Sequence, residues 1–418
     1  MNATLKVVLS SLLLVLFIQS SYANTNHKCH LLLDAGSSGT RLYAFKKKGD
    51  SFKQLYKDTI NIGVSWSLEQ KLCSHKICTQ KDIEKTVYTL INSYLSKDNE
   101  CKEGIETINL LATAGMRLAE QKHGRARVKN LYAHLERIIL KALKTFHIPI
   151  DKNKVSARTI TGAEEGIYTW LAVNILKENH TNTEGIIEMG GASMQIAYAC
   201  ENDLNCNDNS FKVKFRNSIV NLFSHSWLGL GRNEAYRIYN LEKSRSCTQS
   251  DSNNFILERC MSDISKIFTQ YENKIYLKDH LNYKAATSVK QGTKIQVNIP
   301  ADKRFHATGG FVYAEFDSLL RNAHEICNIS KTDLIENRTQ YQSIEKTPEE
   351  LIESECFANL YYQALIDSIP NLNITSNLKK MKEINIDWIY GAINCIETNC
   401  LEFYEPNCKW NKNWNCIQ

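Results

Sequence analysis

Two segments of the 418-residue chain join a carboxylate to a turn of glycines and small residues: Asp34-Ala35-Gly36-Ser37-Ser38-Gly39-Thr40-Arg41 and Glu188-Met189-Gly190-Gly191-Ala192-Ser193-Met194-Gln195. They superpose without a gap, placing Asp34 on Glu188, Gly36 on Gly190 and Arg41 on Gln195. Glycine lets the backbone take positive φ and come close to a ligand, and successive N–H groups in such a turn form an anion-binding nest. The carboxylate cannot bind phosphate itself, but it can bind a hydrated divalent cation that does. Either loop alone reads as a simple hairpin. Two in the same register, facing each other, would hold a chain of phosphates from both sides.

Two further segments carry candidate groups. Leu110-Leu111-Ala112-Thr113-Ala114-Gly115-Met116-Arg117 ends a strand with a hydroxyl and an arginine; taken alone, Thr113 reads as a helix cap and Arg117 as a solvated face. In Thr161-Gly162-Ala163-Glu164-Glu165-Gly166 the Thr161 and Glu164 pair fits a capping box. Glu165 then has no local task. Spacing alone makes it a solvated first-turn glutamate; the chemical alternative is a base for a well-placed water.

The elements that must position these groups alternate. Leu31 to Leu33 reads as a buried strand, Ile83, Val87, Leu90, Ile91, Tyr94 and Leu95 as a helix face, Ile108 to Ala112 as a second strand, and Leu135, Ile138, Ile139, Ala142, Leu143 and Phe146 as a second helix face. Strand, helix, strand implies an α/β architecture. A composition of 43% hydrophobic and 23% charged residues excludes a disordered or fibrous chain, and the length suggests two or three domains. The net charge of +6 is dispersed, which argues against a nucleic-acid partner.

The first 23 residues hold one charge, Lys6, an apolar run from Val7 to Ile18, and small residues at Ser21 and Ala23, the pattern of a cleaved signal peptide. No later segment would span a membrane. All 14 cysteines follow that leader, and none forms a C-x-x-C pair, so disulfides are expected rather than zinc or thioredoxin-like chemistry. Cys200 with Cys206 and Cys247 with Cys260 are candidate local bridges, with Cys395, Cys400, Cys408 and Cys416 stapling the tail.

Taken together, Asp34 to Arg41, Ala112 to Arg117, Gly162 to Trp170 with Asn174, Met189 to Gln195 and Trp388-Ile389-Tyr390-Gly391 resemble, in order, the five apyrase-conserved regions of the ecto-nucleoside triphosphate diphosphohydrolases. His225 to Arg232 resembles a further segment of that family. The resemblance implies two ribonuclease-H-like, actin-like lobes with the active site in the cleft between them. Residues 24–160 plus 383–418 would form one lobe and 161–382 the other.

It also implies a hydrolase that uses Ca2+ or Mg2+ to remove terminal phosphates from nucleoside tri- and diphosphates; the leader makes it an exported, periplasmic or secreted, protein without a transmembrane anchor after cleavage, and a monomer is expected although the sequence does not give the oligomeric state. By position, Glu165 would be the base, and Ser193 with Gln195 would orient the attacking water. Asp34, Thr113, Glu188 and Trp388 would surround the cation through its waters. Ser37, Ser38, Gly39, Thr40 and Arg41 with Gly190, Gly191 and Ala192 would cradle phosphates, and Tyr361 with Arg232 would stack the base. Most family members have aspartate where this chain has Glu188. An exopolyphosphatase-like enzyme and a non-catalytic nucleotide receptor share the loops; the Ala112 to Arg117 segment argues against the first, and retention of Glu165, Ser193 and Gln195 against the second.

Overall fold

The repeated hairpins are the centres of two sheets with one local topology. The computed structural model describes residues 29–401 apart from 74–75, 98–99, 102–103, 179–181, 201–209, 242–245, 248–256, 272–288, 291–293, 296, 298, 315, 329–347 and 382–383, together with 409–410 and 416–417. The leader at residues 1–23 lies outside these. Among the described residues no helix is long and apolar enough to cross a membrane.

In the first lobe, β1 (Cys29–Ala35) pairs antiparallel with β2 (Thr40–Lys48), which pairs antiparallel with β3 (Ser51–Ile60). On its other side β1 runs parallel to β4 (Ile105–Ala112), and β4 to β5 (Val155–Thr159). The alternation in β1 divides its side chains between two cores. Leu31 and Leu33 pack with Ile83, Val87 and Leu90 of α1 (Gln80–Leu95) and with Leu135, Ile139 and Leu143 of α3 (Arg125–Thr145), while α2 (Ala114–His123) leaves the end of β4. Leu32 points the other way, into the middle of the molecule.

That middle is built on α4 (Gly162–Leu176), buried on nearly every side. The second sheet follows: β6 (Gly185–Met189), β7 (Ser193–Ala199), β8 (Ser210–Phe215), β9 (Ser218–Leu228), β10 (Arg304–Gly309) and β11 (Asn373–Asn377), in spatial order β8-β9-β7-β6-β10-β11. The run β9-β7-β6-β10-β11 repeats β3-β2-β1-β4-β5, with two antiparallel pairings followed by two parallel ones. The gapless superposition therefore holds in register. Asp34 stands opposite Arg41 in one hairpin, and Glu188 opposite Gln195 in the other.

Helices α5 (Arg232–Leu241), α6 (Leu257–Tyr271), α7 (Leu319–Asn328) and α8 (Pro348–Asp367) contribute to the second lobe's core. The last, α9 (Trp388–Thr398), returns to the middle of the molecule, where Ile389 and Ile393 join Leu32, Tyr43 and Phe45 from the first sheet, Ile186 and Ala197 from the second, and Trp170 of α4. Helices α4 and α9 cross so closely that a Cβ at Gly391 would lie 1.7 Å from the Tyr168 carbonyl oxygen.

Disulfides join Cys29 to Cys101, Cys73 to Cys78, Cys247 to Cys260, Cys327 to Cys356 and Cys395 to Cys400. The expected Cys247–Cys260 bridge is present. The tail is stapled through Cys395 and Cys400, while the pairing of Cys200 with Cys206 and any bridge through Cys408 or Cys416 involve side chains outside the described residues.

Candidate active site

The two carboxylate-bearing loops meet across a cleft of about 370 Å³ between the sheets. Their approach is close: a Cβ at Gly191 would lie 2.5 Å from the Ser37 hydroxyl oxygen, so any larger residue there would have to displace that hydroxyl. Each loop is gripped from behind. Trp66 donates its indole N–H to the Ser37 carbonyl at 2.8 Å, and the first backbone N–H groups of α5, from Arg232, Asn233 and Glu234, donate to the carbonyls of Gly190 and Gly191.

Of the residues singled out in the sequence, Asp34, Ser37, Ser38, Arg41, Thr113, Glu165, Glu188, Gly190, Gly191, Ala192, Ser193, Arg232 and Trp388 line this cleft. Gln195 lies just behind it, fully buried, with its amide nitrogen donating to Glu165 at 3.1 Å and to Ser226 at 3.0 Å. Gly39 and Thr40 are not among the residues lining the cleft, and the Thr40 hydroxyl donates to the Ile62 carbonyl at 2.7 Å. One expectation is corrected. Tyr361 is 0% exposed, packs on Phe357 and donates its hydroxyl to the Leu230 carbonyl, so its ring has no free face for a base.

Glu165 is not the solvated first-turn glutamate that its spacing suggests. The capping box forms as expected between Thr161 and Glu164, with Arg158 forking onto the Glu164 carboxylate. One residue on, Glu165 is only 4% exposed. Nor is Arg117 a solvated face. It is 1% exposed, and donates to Glu165 at 2.6 Å, to the Ser193 hydroxyl at 3.0 Å and to Ser226 at 3.2 Å. Thr113 sits at the start of α2 without a side-chain capping bond and lines the cleft.

The carboxylates strain against one another. Burial, and next the Glu165 carboxylate, push Glu188 well above the usual range; Asp387 and Asp34 act in the same direction, and the Thr169 hydroxyl, donating to Glu188 at 2.6 Å, opposes them. Burial likewise raises Asp34, against the charge of Arg41 at 2.9 Å. One Asp34 oxygen, Oδ1, is buried without a hydrogen-bond partner among the described residues. An unpartnered carboxylate oxygen beside a second carboxylate disposed to take up a proton is a donor set that a divalent cation would satisfy.

Several cleft residues were missed in the sequence. Asp387 caps α9 and accepts a 2.6 Å hydrogen bond from Tyr43, with Lys57 at 3.6 Å. Gly309 and Gly310 end β10 beside the Glu188 strand. In register they take the places of Ala112 and Thr113 at the end of β4 beside Asp34, and the small-residue run Ala307-Thr308-Gly309-Gly310 was the available signal. Tyr313, 73% exposed, stands at the cleft with the Lys379 ammonium 5.0 Å from its ring centre.

Residues 20–299 match the GDA1/CD39 (nucleoside phosphatase) family. A nucleoside-triphosphatase of Caenorhabditis elegans is 31% identical over 244 residues, covering 54% of this chain and 43% of the relative. A Golgi apyrase of Schizosaccharomyces pombe is 33% identical over 234 residues, covering 51% of this chain and 40% of the relative. The matched stretch thus spans less than half the length of these curated relatives. A crystal structure of nucleoside triphosphate hydrolases from Neospora caninum shares the fold, with a TM-score of 0.51 at 14% identity, over 95% of this chain and 97% of that one.

Proposed function

The chain belongs to the GDA1/CD39 (nucleoside phosphatase) family, and from that membership and the geometry of its cleft we propose that it hydrolyses the terminal phosphates of nucleoside tri- and diphosphates, with Glu165 as general base. The observation that carries this reading is a buried carboxylate at the cleft wall held by Arg117 and Gln195, with the Ser193 hydroxyl bonded to the same guanidinium. A protein that only bound nucleotide would have no use for a base so expensively buried.

Arg117 pairs with Glu165 and fixes the rotamer of its carboxylate. Ser193, which lines the cleft while accepting from Arg117, directs its own proton outward and orients the water that Glu165 deprotonates. The loops at Ser37-Ser38 and Gly191-Ala192 hold the phosphates by backbone N–H groups, the Gly190 N–H closing its own turn on the Ser193 carbonyl at 2.9 Å, so positioning and charge stabilisation do most of the work. Asp34, Thr113, Glu188 and Trp388 would hold Ca2+ or Mg2+ through its waters, and the ion, when bound, neutralises charge on the phosphates. Tyr313 takes the place of Tyr361 as the platform for the base, with Arg232 on the same cleft. We assign residues 24–160 with 383–418 to one lobe and 161–382 to the other, and read the leader and the disulfides as those of an exported protein.

The test is purified protein incubated with ATP, ADP, UDP or polyphosphate and Ca2+ or Mg2+, with products followed by chromatography beside Glu165→Gln. Phosphate release from the nucleotides that disappears in the variant supports the proposal. Binding without turnover, or turnover of polyphosphate alone, refutes it.

A further inference from the structure

Four cationic side chains with a place in the cleft differ in one respect. Arg41 is paired with Asp34, Lys57 with Asp387 and Arg232 with Glu355. Lys379 has no carboxylate partner among the described residues; its ammonium meets the face of Tyr313, 5.0 Å from the ring centre. The two are brought together by adjacent strands. Tyr313 follows β10 and Lys379 follows β11, the Asn377 side-chain amide donates to the Ala314 carbonyl, and the Leu378 N–H donates to the Ala307 carbonyl at 2.9 Å.

The sheet order sets where this pair can act. β11 is two strands from β6, which carries Glu188, so at about 4.8 Å per strand Lys379 leaves the sheet roughly 10 Å to the side of the metal and phosphate loops. That sets it to the side of a terminal phosphate lying between the loops, on the side where Tyr313 is proposed to receive the base. A base stacked on the exposed Tyr313 ring would bring its edge within the swing of the lysine side chain.

Lysine has three donors and no acceptor. Guanine O6 and the O4 of uracil are acceptors, whereas adenine and cytosine carry amino donors at the equivalent positions. Resting on the hydrolase reading above, we infer that Lys379 is a specificity residue that selects bases with an oxo group on that edge, uracil and guanine, over adenine and cytosine. An ammonium facing an amino group offers no bond and a mutual repulsion, so the selection has both an attractive and a repulsive side.

UDP and CDP give the cleanest comparison, because the two bases differ only in the oxo or amino group at position 4 and in the proton that the adjacent N3 carries in uracil and lacks in cytosine. Wild-type protein should show a kcat/KM ratio of UDP to CDP of about tenfold, the scale of one charged hydrogen bond that is partly exposed to water. Lys379→Met should bring the ratio close to one, and Lys379→Glu should reverse it; GDP and ADP should follow the same order. A ratio unchanged in Lys379→Met, or an equal loss on all four nucleotides, overturns the assignment. Failure of wild-type protein to release phosphate from any of them refutes the hydrolase reading instead, and base preference is then read from UDP and CDP affinities of the same three proteins by calorimetry, where equal affinities overturn it.

Discussion

The Arg117 guanidinium lies 2.6 Å from the Glu165 carboxylate, with both side chains almost wholly removed from water. The pair crosses the molecule. Arg117 belongs to α2 at the end of the first sheet's β4, while Glu165 opens the central helix α4 and accepts at the same oxygen, Oε2, from Gln195 of the second sheet. One buried ion pair thus ties the proposed base to both halves of the repeat.

Removing Arg117 should be costly in two measurable ways. A buried charge left without its partner destabilises by about 3–5 kcal/mol, and the stranded Glu165 would take up a proton to avoid it. Arg117→Met should therefore lower the urea midpoint and reduce kcat more than 100-fold, with a smaller effect on KM. Arg117→Lys keeps the charge but not the fork that reaches Glu165, Ser193 and Ser226 together, and should fall between the two. Full activity in Arg117→Met would remove Glu165 from the role of base.

Cation binding can be checked without turnover. Asp34 and Glu188 occupy equivalent places in the two hairpins, and burial raises both above the usual carboxylate range. An ion bound between them stabilises the folded form by mass action. Adding Ca2+ or Mg2+ should raise Tm in wild-type protein, and Asp34→Asn or Glu188→Gln should abolish that rise. If both variants respond as wild type does, the cation is held elsewhere. Glu188→Asp shortens the side chain by one methylene and should change the preference between the two ions.

Gly391 is constrained by packing, whatever its place in a motif. Its Cα lies against the Tyr168 backbone where α9 crosses α4, and an alanine there would force the helices apart. Since backbone cannot yield as a side chain can, Gly391→Ala should cost about 3 kcal/mol or more. The reading is a lowered unfolding midpoint with reduced soluble yield. A midpoint within experimental error of wild type would mean that the crossing is looser than described.

These sites also mark how far the sequence could be read. The loops, their register and the capping box at Thr161 were legible because each is written in contiguous residues with its own local physics. Arg117 was not. On a helix wheel it looks like a solvated residue, and its partners, Glu165, Ser193 and Ser226, are 48 to 109 positions away. Tyr361 misled for the opposite reason: an aromatic pair on a helix looks the same whether it faces core or cleft, and here Tyr361 stacks on Phe357 of the same helix and is buried with it. Tyr313 and Lys379 could not be paired in advance, since only the parallel addition of β11 to β10 brings them together.

The disulfides should matter for stability and not for chemistry. No bridged cysteine described lines the cleft, and the Cys29–Cys101 bond closes a separation of 72 residues between the start of β1 and the segment before β4. Constraining the unfolded chain over a loop of that length contributes about 2–4 kcal/mol. Replacing both cysteines with serine should lower Tm while leaving kcat on the surviving folded protein unchanged. Loss of kcat at a temperature where the variant is folded would contradict this.

A pH-dependent weakness is built in at His225. Its ring lies on β9, 3% exposed, edge-on to Trp227 at 4.2 Å, with Nδ1 lacking a hydrogen-bond partner among the described residues. Burial pushes its pKa down from 6.5 to about 3. The folded form therefore keeps the ring neutral while the unfolded chain takes up a proton below pH 6.5, so stability is fully present above 6.5 and falls as pH drops, until the folded form protonates near 3. Between pH 6.5 and 5 this one residue should remove about 2 kcal/mol. Carboxylates titrate over part of the same range, so the comparison is made within a pair: the gap in urea midpoint between His225→Leu and wild type should move by that amount in favour of the variant as pH falls from 7.5 to 5. A gap that stays constant with pH would mean that the His225 ring is hydrated or paired in solution.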